Sequence, residues 1–227
     1  MRILIVTATS LEVDPITAAL LPAAHGGVDV PSQGSPKVRT YTHQQKTIDV
    51  LTGVVGMVAT SAWCARELAR THYDLALNLG VCGSFDRRLQ PGAVVHVVHD
   101  RIAELGAEDG EDFLAIEQLG LEADGDCSNM APPANAVLAS LPTVSGISVN
   151  TVHGNEQSIA AVVARFRPQV ESMEGAAFMY ACAMSGVPFA QVRAVSNFVE
   201  RRNRDSWKLR EAIDNLGRTA LQILSAV

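Results

Sequence analysis

Apolar residues in this chain come as short, nearly unbroken runs separated by stretches with helical periodicity. Residues 2–7, R-I-L-I-V-T, form a run that predicts a strand buried on both faces. Residues 10–21 place Val13, Ile16, Leu20 and Leu21 on one face of a predicted helix, with Ser10 as its N-cap. Residues 22–37 are rich in Gly, Pro and Ser and predict a loop. Strands at 38–43 and 47–51 form a predicted hairpin across Gln44, Gln45 and Lys46, and Gly53 and Gly56 open a helix that runs to about residue 70. Further strands are predicted at 74–79, 93–98, 144–149 and 188–196, and helices at 157–165, 174–185 and 206–224. Residues 100–130, with E-D-G-E-D at 108–112, predict an irregular acidic excursion. Alternating strands and helices predict an α/β fold: a single domain over 1–227, with a central mixed, largely parallel sheet flanked by helices.

Composition narrows the function. With 227 residues, 48% hydrophobic and 19% charged, the chain suits one compact layered domain. A net charge of −6, with basic clusters only at Arg87-Arg88 and at Arg201, Arg202 and Arg204, excludes a nucleic-acid surface. No apolar stretch reaches membrane-spanning length, and no signal-like segment precedes the first strand, which predicts a cytoplasmic protein without membrane contact. Cys64, Cys82, Cys127 and Cys182 lack CxxC spacing and read as reduced core thiols. Cys82 has no His near it in sequence, and its Gly-Val-Cys-Gly setting favours close backbone packing over a nucleophilic role.

The glycine motifs exclude several chemistries. Neither Gly53-x-x-Gly56 nor Gly80-x-x-Gly83 completes a phosphate loop or dinucleotide fingerprint. The first reads as helix packing. The second ends a strand, where glycine lets a flat ligand approach the backbone. HExxH, paired CxxC, EF-hand and G-x-S-x-G patterns are absent, so no metal, no cofactor and no serine-hydrolase elbow is implied.

Residues 170–204 carry the most chemistry. Glu171 and Glu174 sit among Met, Gly and Ala, where a carboxylate is costly to bury unless something requires it. The strand at 188–196 then ends in Ser196 and Asn197, and strand ends are where open α/β sheets bind ligands.

M-E-G-A-A at 173–177 and R-A-V-S-N at 193–197 resemble the nucleoside phosphorylase and nucleosidase superfamily. The start of the chain, with Glu12 early in the first helix, is similar to adenosylhomocysteine/methylthioadenosine nucleosidases. The resemblance covers most of the chain and implies a nucleoside phosphorylase-like fold that cleaves an N-glycosidic bond. It implies catalytic roles for Glu12, which activates water, Glu174, which takes the ribose hydroxyls, and Asn197, which reads the purine. Substrate contacts are implied at Val81, Cys82, Gly83, Val152, Met173 and Ser196. The resemblance also implies a homo-oligomer, a dimer, because in the resembled nucleosidases a neighbouring subunit completes the pocket.

Two departures refine this. Adenine-specific members carry Asp where this chain has Asn197, and E-M-E where it has E-S-M-E. The phosphate signature G-D-P-x-R is absent. V-E-S-M-E-G-A-A, S-N-F-V-E-R-R-N-R and Trp207 look most like the futalosine hydrolase branch, which releases hypoxanthine from futalosine in an alternative menaquinone pathway. Donor–acceptor chemistry agrees. Protonated N7 of a leaving purine is a donor, and so is the amine of adenine, which suits a carboxylate. Hypoxanthine instead offers an O6 acceptor beside N7–H, which suits an amide.

Other readings stand at this point. Glu12 is also a first-turn glutamate favoured by the helix dipole, Glu174 a helix cap, and Asn197 a turn residue. Glu171 pairs with Arg193 or another cation. His99, Arg101, Arg201 and Arg202 are candidates to meet the aryl carboxylate of futalosine. The competing functions are a methylthioadenosine/adenosylhomocysteine nucleosidase, a purine nucleoside phosphorylase, and a non-catalytic nucleoside-binding protein. A phosphorylase needs cations around phosphate, and the residues near Ser10 and Gly80 supply none in sequence, with Arg87 the nearest.

Overall fold

Strand β1 (Arg2–Val6) is apolar on both faces because both are covered. Ile3 and Ile5 pack with Val13, Ile16 and Leu216, while Leu4 and Val6 pack with Cys64, Phe178 and Cys182. The computed structural model describes residues 1–23, 37–121 and 125–227. The segment expected as a Gly-, Pro- and Ser-rich loop lies outside the described residues from 24 to 36. After β1 come α1 (Ser10–Thr17), β2 (Leu21–Pro22), β3 (Lys37–His43), β4 (Lys46–Thr52), α2 (Met57–Arg70), β5 (Leu75–Ser84) and β6 (Val94–Ile102). Then follow β7 (Gly106–Asp109), β8 (Asp112–Ala115), β9 (Asp126–Ser128), α3 (Ala136–Ser140), β10 (Thr143–Ser148) and α4 (Glu156–Phe166). The chain closes with β11 (Val170–Ser172), α5 (Gly175–Ser185), β12 (Phe189–Phe198) and α6 (Leu209–Ser225).

The main sheet runs β11-β10-β6-β12-β5-β1-β4-β3-β2, with β9 beside β6. It is mixed. The β4–β1–β5–β12 and β6–β10–β11 ladders are parallel, whereas β12–β6 and the outer pairings are antiparallel. Its far edge curls back, and Val170 and Glu171 of β11 pair with Ser84 and Gly83 of β5. Five strands thereby close on themselves. Each contributes to one apolar plug: Cys82, Val95, Val97, Val144, Val170 and Val195. Helices α1 and α6 cover one face of the open half, and α2 and α5 the other.

Some expectations shift. Thr9, not Ser10, caps α1, and the helix stops at Thr17. Residues 80–84 extend β5, where an apolar strand ending near Leu79 is predicted. That extension exists because β12 and β11 pair with it, and such long-range pairing leaves no local signal. Residues 100–130 hold the end of β6, the β7–β8 hairpin and β9, more regular structure than their acidic composition predicts. No helix among the described residues is long and apolar enough to cross a membrane.

One buried acid sets the position of α5. Asp100 on β6 is 1% exposed and accepts from Ser148 Oγ at 3.1 Å and Gln191 Nε2 at 2.9 Å. Ser148 Oγ in turn accepts from Ala176 N–H at 2.8 Å. A Cβ on Gly175 would stand 2.1 Å from Asp100 Oδ2, so only glycine lets the helix start this close. Burial pushes the Asp100 carboxyl up to about 6, against the hydrogen bonds and Arg193, which favour the charge. The folded state thus favours the protonated acid. That contribution to stability is full below the ordinary value of 3.8 and is lost as pH rises through about 6. Asp100→Asn is therefore expected to lose more stability relative to wild type in acid than at neutrality, as read by urea denaturation across that range. A stability difference independent of pH contradicts this.

Candidate active site

Arg193 is the largest fully buried side chain, at 0% exposure, and it pairs in register with Gly80 across the β12–β5 ladder. A guanidinium cannot stay buried without partners. Its Nη2 donates to Asn78 Oδ1 and stands 3.9 Å from Glu174 Oε2. Asn78 is itself held by donating to Val6 O at 3.0 Å. A Cβ on Gly80 would lie 2.2 Å from Arg193 Nη1 and 3.0 Å from Glu12 Oε1. The missing side chain is the space in which the cation and Glu12 meet. Arg193 Nε and Nη1 are buried with no protein partner among the described residues.

Glu12 and Glu174 are both positioned by backbone. Glu12 reaches back from the third position of α1, its Oε2 accepting from Thr9 N–H at 2.8 Å and Thr9 Oγ at 3.0 Å, in the manner of a capping box. Its Oε1 accepts from Val81 N–H at 3.1 Å. Only 6% exposed, Glu12 has its carboxyl pushed up by burial, with the Val81 amide, Arg193 and the Thr9 amide opposing. Glu174 caps α5, is 5% exposed, and accepts from Gly56 N–H at 3.0 Å. Gly56 therefore holds a carboxylate, beyond the helix-packing role read for it.

A second cluster forms around Gly83. The β12–β5 register shifts between Val195 and Asn197, leaving Ser196 as the extra residue of a bulge. Val195 pairs with Cys82 in the barrel interior, whereas Asn197 pairs with Gly83 on the opposite face. Without the bulge Asn197 would point into the barrel plug. Ser196 Oγ donates to Asn197 Oδ1 at 2.7 Å and Asn197 Nδ2 to Phe198 O at 2.8 Å, which orients the amide. Each amide group keeps one free hydrogen-bonding valence. Asn197, Gly83 and Val152 line one cavity of about 110 Å³ with His153, Glu171 and Trp207.

The sequence-derived residues thus separate. Glu12, Glu174 and the Val81 amide gather around Arg193, and Asn197, Gly83 and Val152 line the cavity, with Ser196 buried behind Asn197. Met173 is half-buried in the link between β11 and α5. Cys82 points into the barrel plug, its thiol pushed up to about 12 by burial, and only its carbonyl reaches Ser196. Glu171 pairs with His153 and not with Arg193. His99 and Arg101 are engaged with Asp126, and Arg101 with Glu117 too, whereas Arg201 and Arg202 line the cavity. Arg87 is tied to Glu200 at 2.8 Å. Sequence reasoning missed the roles of Arg193, Asn78 and Asp100. The signal for Arg193 was a lone arginine in an otherwise apolar strand facing a glycine.

The whole chain, residues 2–227, matches the family model described as the phosphorylase superfamily. It is 32% identical to the futalosine hydrolase of Acidothermus cellulolyticus over 94% of this chain and 86% of that protein. It is 31% identical to that of Streptomyces coelicolor, over 94% and 91%. Among solved structures, futalosine hydrolase of Helicobacter pylori superposes with a TM-score of 0.82 at 16% identity, covering 100% of this chain and 98% of that one. A 5′-methylthioadenosine/S-adenosylhomocysteine nucleosidase from Colwellia psychrerythraea, in complex with adenine, also gives 0.82, at 20% identity, over 100% and 95%. At these identities the structures establish the fold.

The space at Gly80 is testable directly. Gly80→Ala is expected to force the buried guanidinium aside and cost about 1–3 kcal/mol of stability, measured by chemical denaturation. Unchanged stability would show that Arg193 moves freely and does not depend on this glycine.

Proposed function

The chain belongs to the phosphorylase superfamily, where it stands with futalosine hydrolases, and from that premise we propose that it hydrolyses futalosine to dehypoxanthine futalosine and hypoxanthine in menaquinone biosynthesis. It is a nucleosidase, a hydrolase of N-glycosidic bonds. The observation that carries the base assignment is the oriented Asn197 amide at the cavity wall. Its oxygen accepts from N7–H of the leaving base and its NH₂ donates to O6, a match for hypoxanthine and a mismatch for adenine.

Cleavage develops positive charge at C1′ and O4′ of the sugar. In this reading Glu174 takes the ribose hydroxyls and stabilises that charge, and Glu12 removes a proton from the attacking water. Burial makes Glu12 a stronger base than an exposed glutamate. Arg193 Nη1, which has no partner among the described residues, shares the space at Gly80 with Glu12, and in this reading it donates to the attacking water. Four free thiols suit a reducing compartment, and we place the protein in the cytoplasm. Val58 of α2 and Tyr180 and Met184 of α5 are 83%, 57% and 72% exposed on adjoining helices, which supports a homodimer through this face.

Glu12→Gln is expected to keep substrate affinity and lose about 10²–10⁴-fold in turnover. The base works only when ionised, so wild-type kcat/KM should fall in acid through a midpoint above the ordinary glutamate value, and the variant should lack that limb. Near-normal turnover would remove Glu12 from the mechanism. For the base, two nucleosides with the same 5′ group are compared by kcat/KM. Wild type is expected to prefer hypoxanthine over adenine, and Asn197→Asp to shift the ratio toward adenine by about ten- to a hundredfold. A ratio that ignores the substitution contradicts the reading of Asn197.

A further inference from the structure

The mechanism above leaves one buried, hydrogen-bonded Glu–His pair unused. Glu171 is 4% exposed, sits in β11, and pairs in register with the same Gly83 that pairs with Asn197. A Cβ on Gly83 would lie 3.5 Å from Asn197 Nδ2 and 3.5 Å from Glu171 Cγ, so the two side chains flank one glycine. The Glu171 carboxylate is committed to His153. Oε1 accepts from the His153 backbone N–H at 3.1 Å, and Oε2 lies 2.7 Å from Nδ1. Phe85 meets the imidazole edge-on, with ring centroids 6.2 Å apart. Carboxylate, backbone amide and phenyl ring together fix the ring, whose side chain is 15% exposed. Its Nε2 has no hydrogen bond among the described residues, and the residue lines the Asn197 cavity.

A carboxylate accepts and never donates, so the neutral ring keeps its proton on Nδ1. Nε2 then carries a lone pair. Resting on the 6-oxopurine reading above, we propose that His153, held by Glu171, reads the N1 edge of the base by accepting the N1–H of hypoxanthine through Nε2. Adenine has no hydrogen at N1 and presents a lone pair there, so acceptor would face acceptor. Asn197 and His153 then read adjacent positions of one base edge. N7 and position 6 fall to the amide and N1 to the imidazole. Glu171 is a positioning residue that sets the tautomer.

The test compares the hypoxanthine and adenine nucleosides sharing one 5′ group, by kcat/KM, in wild type, His153→Phe, His153→Gln and Glu171→Gln. His153→Phe removes the acceptor and keeps a flat ring. It is expected to lower the hypoxanthine-to-adenine ratio by roughly 5- to 100-fold, mostly in KM for the hypoxanthine nucleoside. His153→Gln retains an acceptor and is expected to recover part of the ratio. Glu171→Gln frees the ring to carry its proton on Nε2 and is expected to lower the ratio also. A purely structural pair would depress both substrates equally, and an unchanged ratio in all three variants overturns the proposal while leaving the Asn197 reading intact. A wild type without base preference overturns both.

Discussion

The site depends on a guanidinium that has no access to water. Arg193 is wholly buried, and a buried cation of that size requires fixed negative partners. Asn78 takes one end, and the carboxylates of Glu174 and Glu12 lie on either side. The same arrangement settles the glutamates. Two carboxylates close together raise one another's energy, and the cation between them offsets this, while backbone amides from Val81, Thr9 and Gly56 hold their positions. Gly80 is glycine because the cation occupies its side-chain space. Asp100, one layer below, seats the start of α5, and so sets where Glu174 stands.

The second constraint is topological. Closure of five strands through the short β11–β5 pairing brings Glu171 and Asn197 to the same glycine from opposite neighbours. One extra residue, Ser196, switches Asn197 off the barrel interior. The two clusters thus sit on the same two strands, β5 and β12, with positions 80 and 193 in one and positions 83 and 197 in the other.

Much of this is legible in the sequence, for identifiable reasons. Glu12 and Asn197 stand out through the motifs that carry the family resemblance, and Glu174 also because a carboxylate among Met, Gly and Ala is costly to bury. The buried strands of the sheet centre announce themselves as runs without alternation, as at Ile3 to Val6. What is hidden depends on contacts between distant segments. Three residues of β11 carry no periodicity, so no strand is predicted at Glu171 and its partner His153 goes unseen. Asp100 lies at the head of an acidic stretch that looks like solvated loop, and only the β6–β10 and β6–β12 pairings show it is core. Cys82 reads as a ligand contact because it lies in the Gly80-x-x-Gly83 stretch at a predicted strand end. The pleat sends its side chain the other way.

The electrostatics bear on the choice of nucleophile. Phosphate would bring two negative charges toward a cation already matched by two carboxylates, and burial makes that repulsion strong. Water carries no such penalty, and the proposed base, Glu12, lies at the same cation. Lys37 and Arg39 line another cavity, of about 430 Å³, together with Ser10 and Asp14. The decisive measurement is to run the cleavage of futalosine in ¹⁸O-labelled water with excess inorganic phosphate and analyse the sugar product by mass spectrometry. The account requires one ¹⁸O in the sugar product and a rate indifferent to phosphate. A sugar 1-phosphate, or a rate that rises with phosphate, would contradict it.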